Sequence, residues 1–209
     1  MAVKPAYLEA FAPLIWATPL LTSPDWEVRE RDRGDDARTE RIDRYCRDAM
    51  CGEDGIQHWV ELTQRPAPGS QAVSKTVSLC KYGDRLGGFP GILHGGAVMT
   101  LMDEALGFAM VARETALKGS WTGLPPNWRQ LLDENRPLAE ILNGVMVTAK
   151  SDVKFLKPVP CPGLVGIEVE ILESIGQKMK IRGVMKDGNG ASLVQADGLW
   201  VRIGGAVKL

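Results

Sequence analysis

Hydrophobic and polar positions alternate along several stretches of the chain. Between residues 72 and 82, Val73, Val77 and Leu79 alternate with lysine and other polar residues, which predicts a β-strand. Runs of the same kind predict five further strands, at residues 56–64, 145–156, 163–174, 177–186 and 191–203. The Asp-Gly-Asn-Gly sequence at 187–190 is typical of a hairpin turn, because glycine and asparagine accept a positive φ at little cost.

One stretch is apolar on nearly every side. Residues 97–113 lack a polar face, which predicts a buried helix. The predicted order is therefore two strands, one helix and four strands, without the alternating βαβ units of a parallel sheet. An antiparallel sheet wrapped around one long apolar helix is the hotdog arrangement, so the predicted fold class is α+β.

Two segments lie outside this pattern. Residues 1–52 are predicted to form an N-terminal helical extension, with a helix start at 23–27 and a second helical stretch at 37–50, and residues 53–209 to form the hotdog domain. The insert at 114–143 carries Trp121, Trp128 and a Pro-Pro pair. Long insertions in compact domains are commonly functional, so we expect it to fold as a lid over one end of the functional site.

Composition narrows the classes of function. The 209 residues are 44% hydrophobic and 24% charged with a net charge of −1, which argues against nucleic acid as the main partner. The four cysteines are scattered and only two histidines are present, so neither a zinc site nor a disulfide framework is expected. The apolar patch at 11–21 is short and contains Pro13 and Pro19, which predicts no membrane span and a cytoplasmic protein.

The most informative segment opens the apolar helix. Gly95 and Gly96 follow His94 at a helix start, where backbone N–H groups lack intrahelical partners and can bind an anion or an oxyanion. Asp103 lies nearly two turns past Gly96, on the same side as Thr100. A carboxylate in a buried helix is costly unless it has a partner or a function. The adjacent Glu104 points about 100° away, which indicates a rim or interface residue.

These residues resemble those of a known family. The His-Gly-Gly sequence followed by an acid nine residues after the histidine, and a later strand ending in Phe155, two residues and Pro158, are similar to the hotdog-fold acyl-CoA thioesterases of the PaaI-like and 4-hydroxybenzoyl-CoA thioesterase superfamily. The resemblance covers residues 56–203.

The resemblance implies roles for four residues. Asp103 matches the catalytic acid, acting as a general base on water or attacking the thioester carbonyl directly. The Gly95 backbone N–H polarises that carbonyl, and His94 fixes the loop. Thr148 matches a position that reaches the acid or water of the neighbouring subunit. Gly88 stands where some members have Asn or Gln, so this chain lacks that amide.

The resemblance also implies a substrate and an assembly. The substrate is acyl-CoA or a carrier-bound acyl group, bound between the subunits of a homodimer or homotetramer, with no metal or organic cofactor. Gly96, Thr100, Lys150 and Trp121 are expected to bind the substrate. Two alternatives remain: a non-catalytic hotdog protein that binds acyl-CoA or serves assembly, and a hotdog enoyl hydratase or dehydratase. The Asp…His spacing of a hotdog hydratase or dehydratase is missing from this chain.

Overall fold

The computed structural model describes residues 4–31, 44–67, 69–70, 72–119 and 124–204. The N-terminal part contains helix α1 (Pro5–Phe11), a 3-10 turn at Thr18–Thr22 and strand β1 (Trp26–Glu30). A helical turn at Tyr45–Met50 then leads into the predicted domain.

The rest of the chain forms one long helix, two short ones and eight strands in the described residues. In chain order they are β2 (Ile56–Gln64), β3 (Lys75–Tyr82), β4 (Gly87–Phe89), β5 (Ile92–Leu93), α2 (Gly95–Lys118), α3 (Trp128–Asp133), α4 (Leu138–Ile141), β6 (Met146–Phe155), β7 (Gly163–Ile175), β8 (Lys178–Lys186) and β9 (Ser192–Arg202). Seven strands form one sheet in the order β1-β2-β3-β7-β8-β9-β6, and every neighbouring pair is antiparallel. The predicted hotdog fold is therefore confirmed.

Helix α2 is the centre of the main core. One side of it packs on the inner face of the sheet through alternating small and large side chains, among them Ala97, Leu101, Ala105 and Leu106. By length and composition alone this helix could also cross a membrane, and no other helix in the described part of the chain could.

A second core lies on the opposite, outer face of β2 and β3. Phe11, Leu14 and Leu21 from the N-terminal extension pack there against apolar side chains of the two strands, which are Val60, Leu62, Val77 and Leu79. His58 meets the rings of Tyr7 and Phe11 edge-on, as expected for a packing histidine. This half of the sheet is therefore buried on both faces.

The structure corrects two of the predicted elements. The helix start expected at 23–27 is wrong: the chain turns there and enters β1, which pairs along β2 from Trp26 to Glu30. The apolar helix continues past residue 113 to Lys118, because hydrogen bonds from Lys118 and Arg202 satisfy the buried Glu114 carboxylate.

The limits of the extension and of the insert follow from these bounds. Gly119 ends α2 in the left-handed conformation, so the insert begins later than predicted. Trp121 and residues 37–43 of the predicted second helix lie outside the described residues. The boundary between residues 52 and 53 stays a prediction, although β1 joins the extension to the sheet of the domain.

Candidate active site

The loop before α2 is held in place by backbone and side-chain hydrogen bonds. The His94 N–H donates to Leu86 O at 2.9 Å, and the Leu93 N–H donates to Val159 O at 2.8 Å. His94 is the N-cap of α2, and its Nδ1 accepts a hydrogen bond from the Gly96 N–H at 3.0 Å. The nitrogen that accepts this hydrogen bond carries no proton. His94 thus has hydrogen bonds to both sides of the loop, and its role in the site stays a prediction.

The N-cap hydrogen bond of His94 involves the N–H of only one of the two glycines. The Gly96 N–H is used by His94, whereas the Gly95 N–H has no hydrogen-bond partner within the described ranges. Gly95 is also exposed, so a ligand can reach its amide. Thr100 donates its hydroxyl hydrogen to Gly96 O at 3.0 Å, which stabilises the first turn. Of the two amides, that of Gly95 is the available donor.

Close packing explains the glycines around the His94 ring. A Cβ at Gly96 would lie 3.0 Å from His94 Nδ1, and a Cβ at Gly88 would lie 3.0 Å from His94 Cα and 3.3 Å from its ring. Both distances from the Cβ at position 88 are shorter than an ordinary van der Waals contact, so an asparagine or glutamine there would require the capping histidine to move by a few tenths of an ångström.

Asp103 lies on the side of α2 that faces away from the core. Asp103 and Met99 are exposed and Thr100 is half-buried, so the helix is not buried on every side as predicted. Thr148 of β6 donates its hydroxyl hydrogen to Asp103 Oδ1 at 3.2 Å. This hydrogen bond joins two residues of one chain. The expected reach of Thr148 to the acid or water of a neighbouring subunit stays a prediction.

Lys150 lies on the opposite face of β6 from Thr148, and its expected contact with the substrate stays a prediction. Strict alternation would put Thr148 and Lys150 on the same face of β6, but a bulge between them inserts one extra residue. Thr148 pairs with Trp200, whose side chain is in the core, whereas Lys150 pairs with Leu199. Because one added residue reverses the alternation, Lys150 lies on the outer face, away from Asp103.

An open apolar cavity of about 420 Å³ adjoins the start of α2. Gly95 and Val98 form its floor, and the aromatic rings of Phe89 and Phe155 border it, with Lys157 at its rim. Phe155 is 54% exposed, and its ring lies 3.9 Å from the position of a Cβ on Gly95. Sequence reasoning quoted Phe155 as part of a motif but did not assign it to the site.

Glu104 points into the molecule, not to a rim or an interface as predicted. Its carboxylate pairs with Arg31, the residue that follows β1. The same guanidinium bonds the buried Glu61 carboxylate at 2.9 Å and lies over the Trp59 ring, 4.5 Å from the centroid. Sequence analysis missed Arg31 because it lies in a charged run that is typical of a solvated surface.

The buried carboxylate in this group has an altered acidity. Burial raises the pKa of Glu61 to about 7, against the opposing effects of Arg31 and the hydrogen bond from Ser78. No group of three or more His, Cys, Asp or Glu side chains that could hold a metal ion occurs in the described part of the molecule.

Comparison with known proteins agrees with this arrangement. The sequence profile described as "Thioesterase superfamily" matches residues 90–194, half of the chain. "Acyl-coenzyme A thioesterase THEM4" of Bos taurus is 28% identical over 130 residues, 62% of this chain and 41% of that protein. "Verlamelin biosynthesis protein B" of Lecanicillium sp is 25% identical over 133 residues, 60% of this chain and 56% of its own length. The chain thus spans about half the length of the curated relatives it matches.

Two solved structures of low sequence identity are similar to part of this chain. The PaaI protein of the E. coli phenylacetic acid degradation operon is 15% identical with a TM-score of 0.45, covering 64% of this chain and 76% of its own. A hypothetical thioesterase from Streptococcus pneumoniae TIGR4, solved with coenzyme A, is 16% identical with a TM-score of 0.46, covering 65% and 86%. The match of the family profile to residues 90–194, which include the His94 loop, all of α2 and β6, shows that the chain belongs to the thioesterase superfamily.

Proposed function

We propose that this protein hydrolyses an acyl thioester, either an acyl-CoA or an acyl group on a carrier. The observation that carries the proposal is the exposed Gly95 N–H, which has no partner among the described residues and opens onto an apolar cavity. A backbone donor at a helix start, beside an apolar groove, suits a carbonyl oxygen that gains negative charge.

The chemistry needs two more groups. Asp103 takes a proton from water as the water attacks the thioester carbon, or its carboxylate attacks that carbon first and water then cleaves the acyl-enzyme. In either case the C–S bond breaks, the thiolate leaves and is protonated, and a carboxylic acid is formed. The Thr148 hydroxyl orients the Asp103 carboxylate through its 3.2 Å hydrogen bond.

One chain cannot bring both groups to one carbonyl. Asp103 follows Gly95 by eight residues on the same helix, a rise of about 12 Å. The oxyanion donor must lie within about 3 Å of the carbonyl oxygen, and the base must lie as close to the attacking water. We propose that a second copy supplies the missing half, so that Gly95 of one subunit faces Asp103 and Thr148 of the other.

The edge of the sheet offers a place for that second copy. Strand β6 has a free edge, because its only partner in the described sheet is β9. On its inner face Phe155 lies beside Gly95 and Thr148 beside Asp103, so β6 runs along the exposed side of α2. Dimerisation along this side would place two equivalent sites between the subunits.

The substrate proposal follows from the cavity. Phe89 and Phe155 suit an apolar acyl chain or the arm of the thiol, and the Lys157 ammonium at the rim suits a phosphate of coenzyme A or of a carrier's phosphopantetheine. The predicted role of the insert as a lid over the acyl end stays a prediction.

A thiol-release assay with a panel of acyl-CoAs tests the proposal. Asp103→Asn keeps the side-chain shape and removes the base, so we expect turnover to fall about 10²-fold or more. Asp25→Asn, the same exchange at an exposed turn, is the matched control and should leave turnover unchanged. Near-full activity of Asp103→Asn would overturn the mechanism.

The two alternatives give different results in the same samples. A non-catalytic binding protein would bind acyl-CoA without releasing thiol from any member of the panel. A hydratase would consume an enoyl-CoA with loss of enone absorbance and no free thiol.

A further inference from the structure

Two carboxylates stand side by side on α2, and they point in different directions. Asp103 is exposed and bonded to Thr148, whereas Glu104 turns toward β2 and pairs with Arg31. Arg31 lies outside the segment matched by the family profile, directly after β1 in the N-terminal extension. A cation from the extension is thus paired with the residue next to the proposed base.

The guanidinium is held firmly in this position. It hydrogen-bonds the Glu61 carboxylate at 2.9 Å, lies 4.5 Å from the Trp59 ring centroid and also donates to the Glu104 backbone O at 3.4 Å. Glu61 is 1% exposed and accepts a further hydrogen bond from Ser78 of β3. A planar guanidinium satisfies such a set of acceptors and a ring face together, which a lysine ammonium cannot.

We infer that Arg31 is a positioning residue of the proposed hydrolysis. It draws the Glu104 carboxylate toward the sheet and places a positive charge against it, which weakens the repulsion between Glu104 and Asp103. The inference rests on the proposed function, since it concerns the base of that reaction.

The charges that face Glu104 set the direction of the effect. Within the described residues they include Arg31 after β1 and Glu61 on β2, with the neutral Trp59 and Ser78 beside them, and Asp103 on the same helix as Glu104. Glu61 is largely protonated in mildly acidic solution because its pKa lies at about 7, so Arg31 then mainly compensates Glu104. Removing Arg31 takes away one positive charge that is paired with Glu104, the residue next to Asp103, and this favours the protonated form of the base.

The pH–rate profile measures this effect. In Arg31→Gln the acid limb should move to higher pH by about half a unit, a roughly threefold loss of rate at a fixed pH on that limb. In Glu104→Gln it should move the other way, by less, because Glu61 then engages Arg31. The double variant should lie near the wild type. Arg31→Lys keeps the charge but loses the paired N–H donors of the guanidinium and the contact with the Trp59 ring. Its acid limb should stay at the wild-type pH, and its melting temperature should be lower.

Two outcomes would overturn the inference. One is an Arg31→Gln protein, folded by circular dichroism, whose acid limb stays at the wild-type position. The other is a shift of Glu104→Gln in the same direction as that of Arg31→Gln. If Arg31→Gln does not fold, the single Glu104→Gln and Arg31→Lys variants decide the question with the limb positions given above.

A second readout separates this inference from the proposed function. In protein labelled with ¹³C at aspartate carboxyls, the Asp103 signal is assigned by its absence from Asp103→Asn and is titrated without turnover. A shifted titration with no thioesterase activity would contradict the proposed function alone. Thioesterase activity that depends on Asp103, with an unshifted titration, would contradict the role of Arg31 alone.

Discussion

Replacing Gly95 by proline removes the proposed oxyanion donor with little other change. Gly95 is the first residue of α2, the position at which helices accept proline most readily, because its N–H has no intrahelical partner. The preceding His94 has φ −60° and ψ 134°, which is the extended conformation that a residue before proline prefers. A Cβ at position 95 would lie 3.9 Å from Phe155 Cζ, an ordinary contact.

The structure therefore separates the effect on activity from the effect on stability. Loss of one backbone donor to an oxyanion lowers kcat about 10²–10³-fold, equivalent to about 3–4 kcal/mol of transition-state stabilisation. Proline in place of glycine at a compatible position raises the free energy of unfolding by about 0.4–1 kcal/mol, because it restricts the unfolded chain. We expect Gly95→Pro to be almost inactive and at least as stable as the wild type.

Gly95→Ala is the matched control, since it adds a Cβ at the same place and keeps the N–H. Both variants are compared by thiol release at saturating acyl-CoA and by urea unfolding. If Gly95→Pro keeps a kcat within a few-fold of Gly95→Ala while remaining folded, the Gly95 amide is not the donor and the reasoning fails.

Three further predictions follow from the site and its surroundings. Asp103→Asn subunits mixed with Thr148→Ala subunits should give no activity beyond the average of the parents. Asp103→Asn subunits mixed with Gly95→Pro subunits should restore about a quarter of the wild-type rate, because each hybrid dimer then has one intact site. No gain of activity in the mixture with Gly95→Pro would contradict a shared site. The pKa of Glu61 is raised to about 7 in the fold, so its contribution to stability is fully present below pH 4.5 and is lost as the pH rises through 7. The free energy of unfolding should therefore fall over this range, by up to about 3 kcal/mol, relative to Glu61→Gln in urea titrations, and parallel curves would refute the assignment. Replacing residues 120–137 by a short Gly-Ser link should change the preferred acyl chain length in the acyl-CoA panel and keep hydrolysis. An unchanged chain-length preference would contradict the role of this segment as a lid.

The sequence pattern predicted those elements whose own residues mark where they begin and end. Strands β2, β7 and β8 begin and end within about a residue of the predicted positions, because alternation and turn residues mark them. The Gly95 amide and the face bearing Asp103 could be placed for the same reason, since a helix start and a 3.6-residue period are local properties.

The errors arose where distant parts of the chain decide the structure. Residues 23–27 have the composition of a helix start, but pairing with β2 draws the following residues into a strand. The bulge after Thr148 is invisible in the alternation and reverses the face of Lys150. Arg31 and Glu104 are far apart in sequence, so nothing local indicates that they form an ion pair.

The second core has a consequence for how the protein is made. All its fully buried members lie between Tyr7 and Leu79, so this half of the protein can assemble on the nascent chain before α2 is synthesised. The apolar residues of the extension are synthesised before β2 and β3, and at 5–20 residues per second the interval is roughly 4–14 s. A chain that began at residue 53 would present the bare outer face of that hairpin during synthesis, and we expect it to aggregate before the hotdog domain is complete.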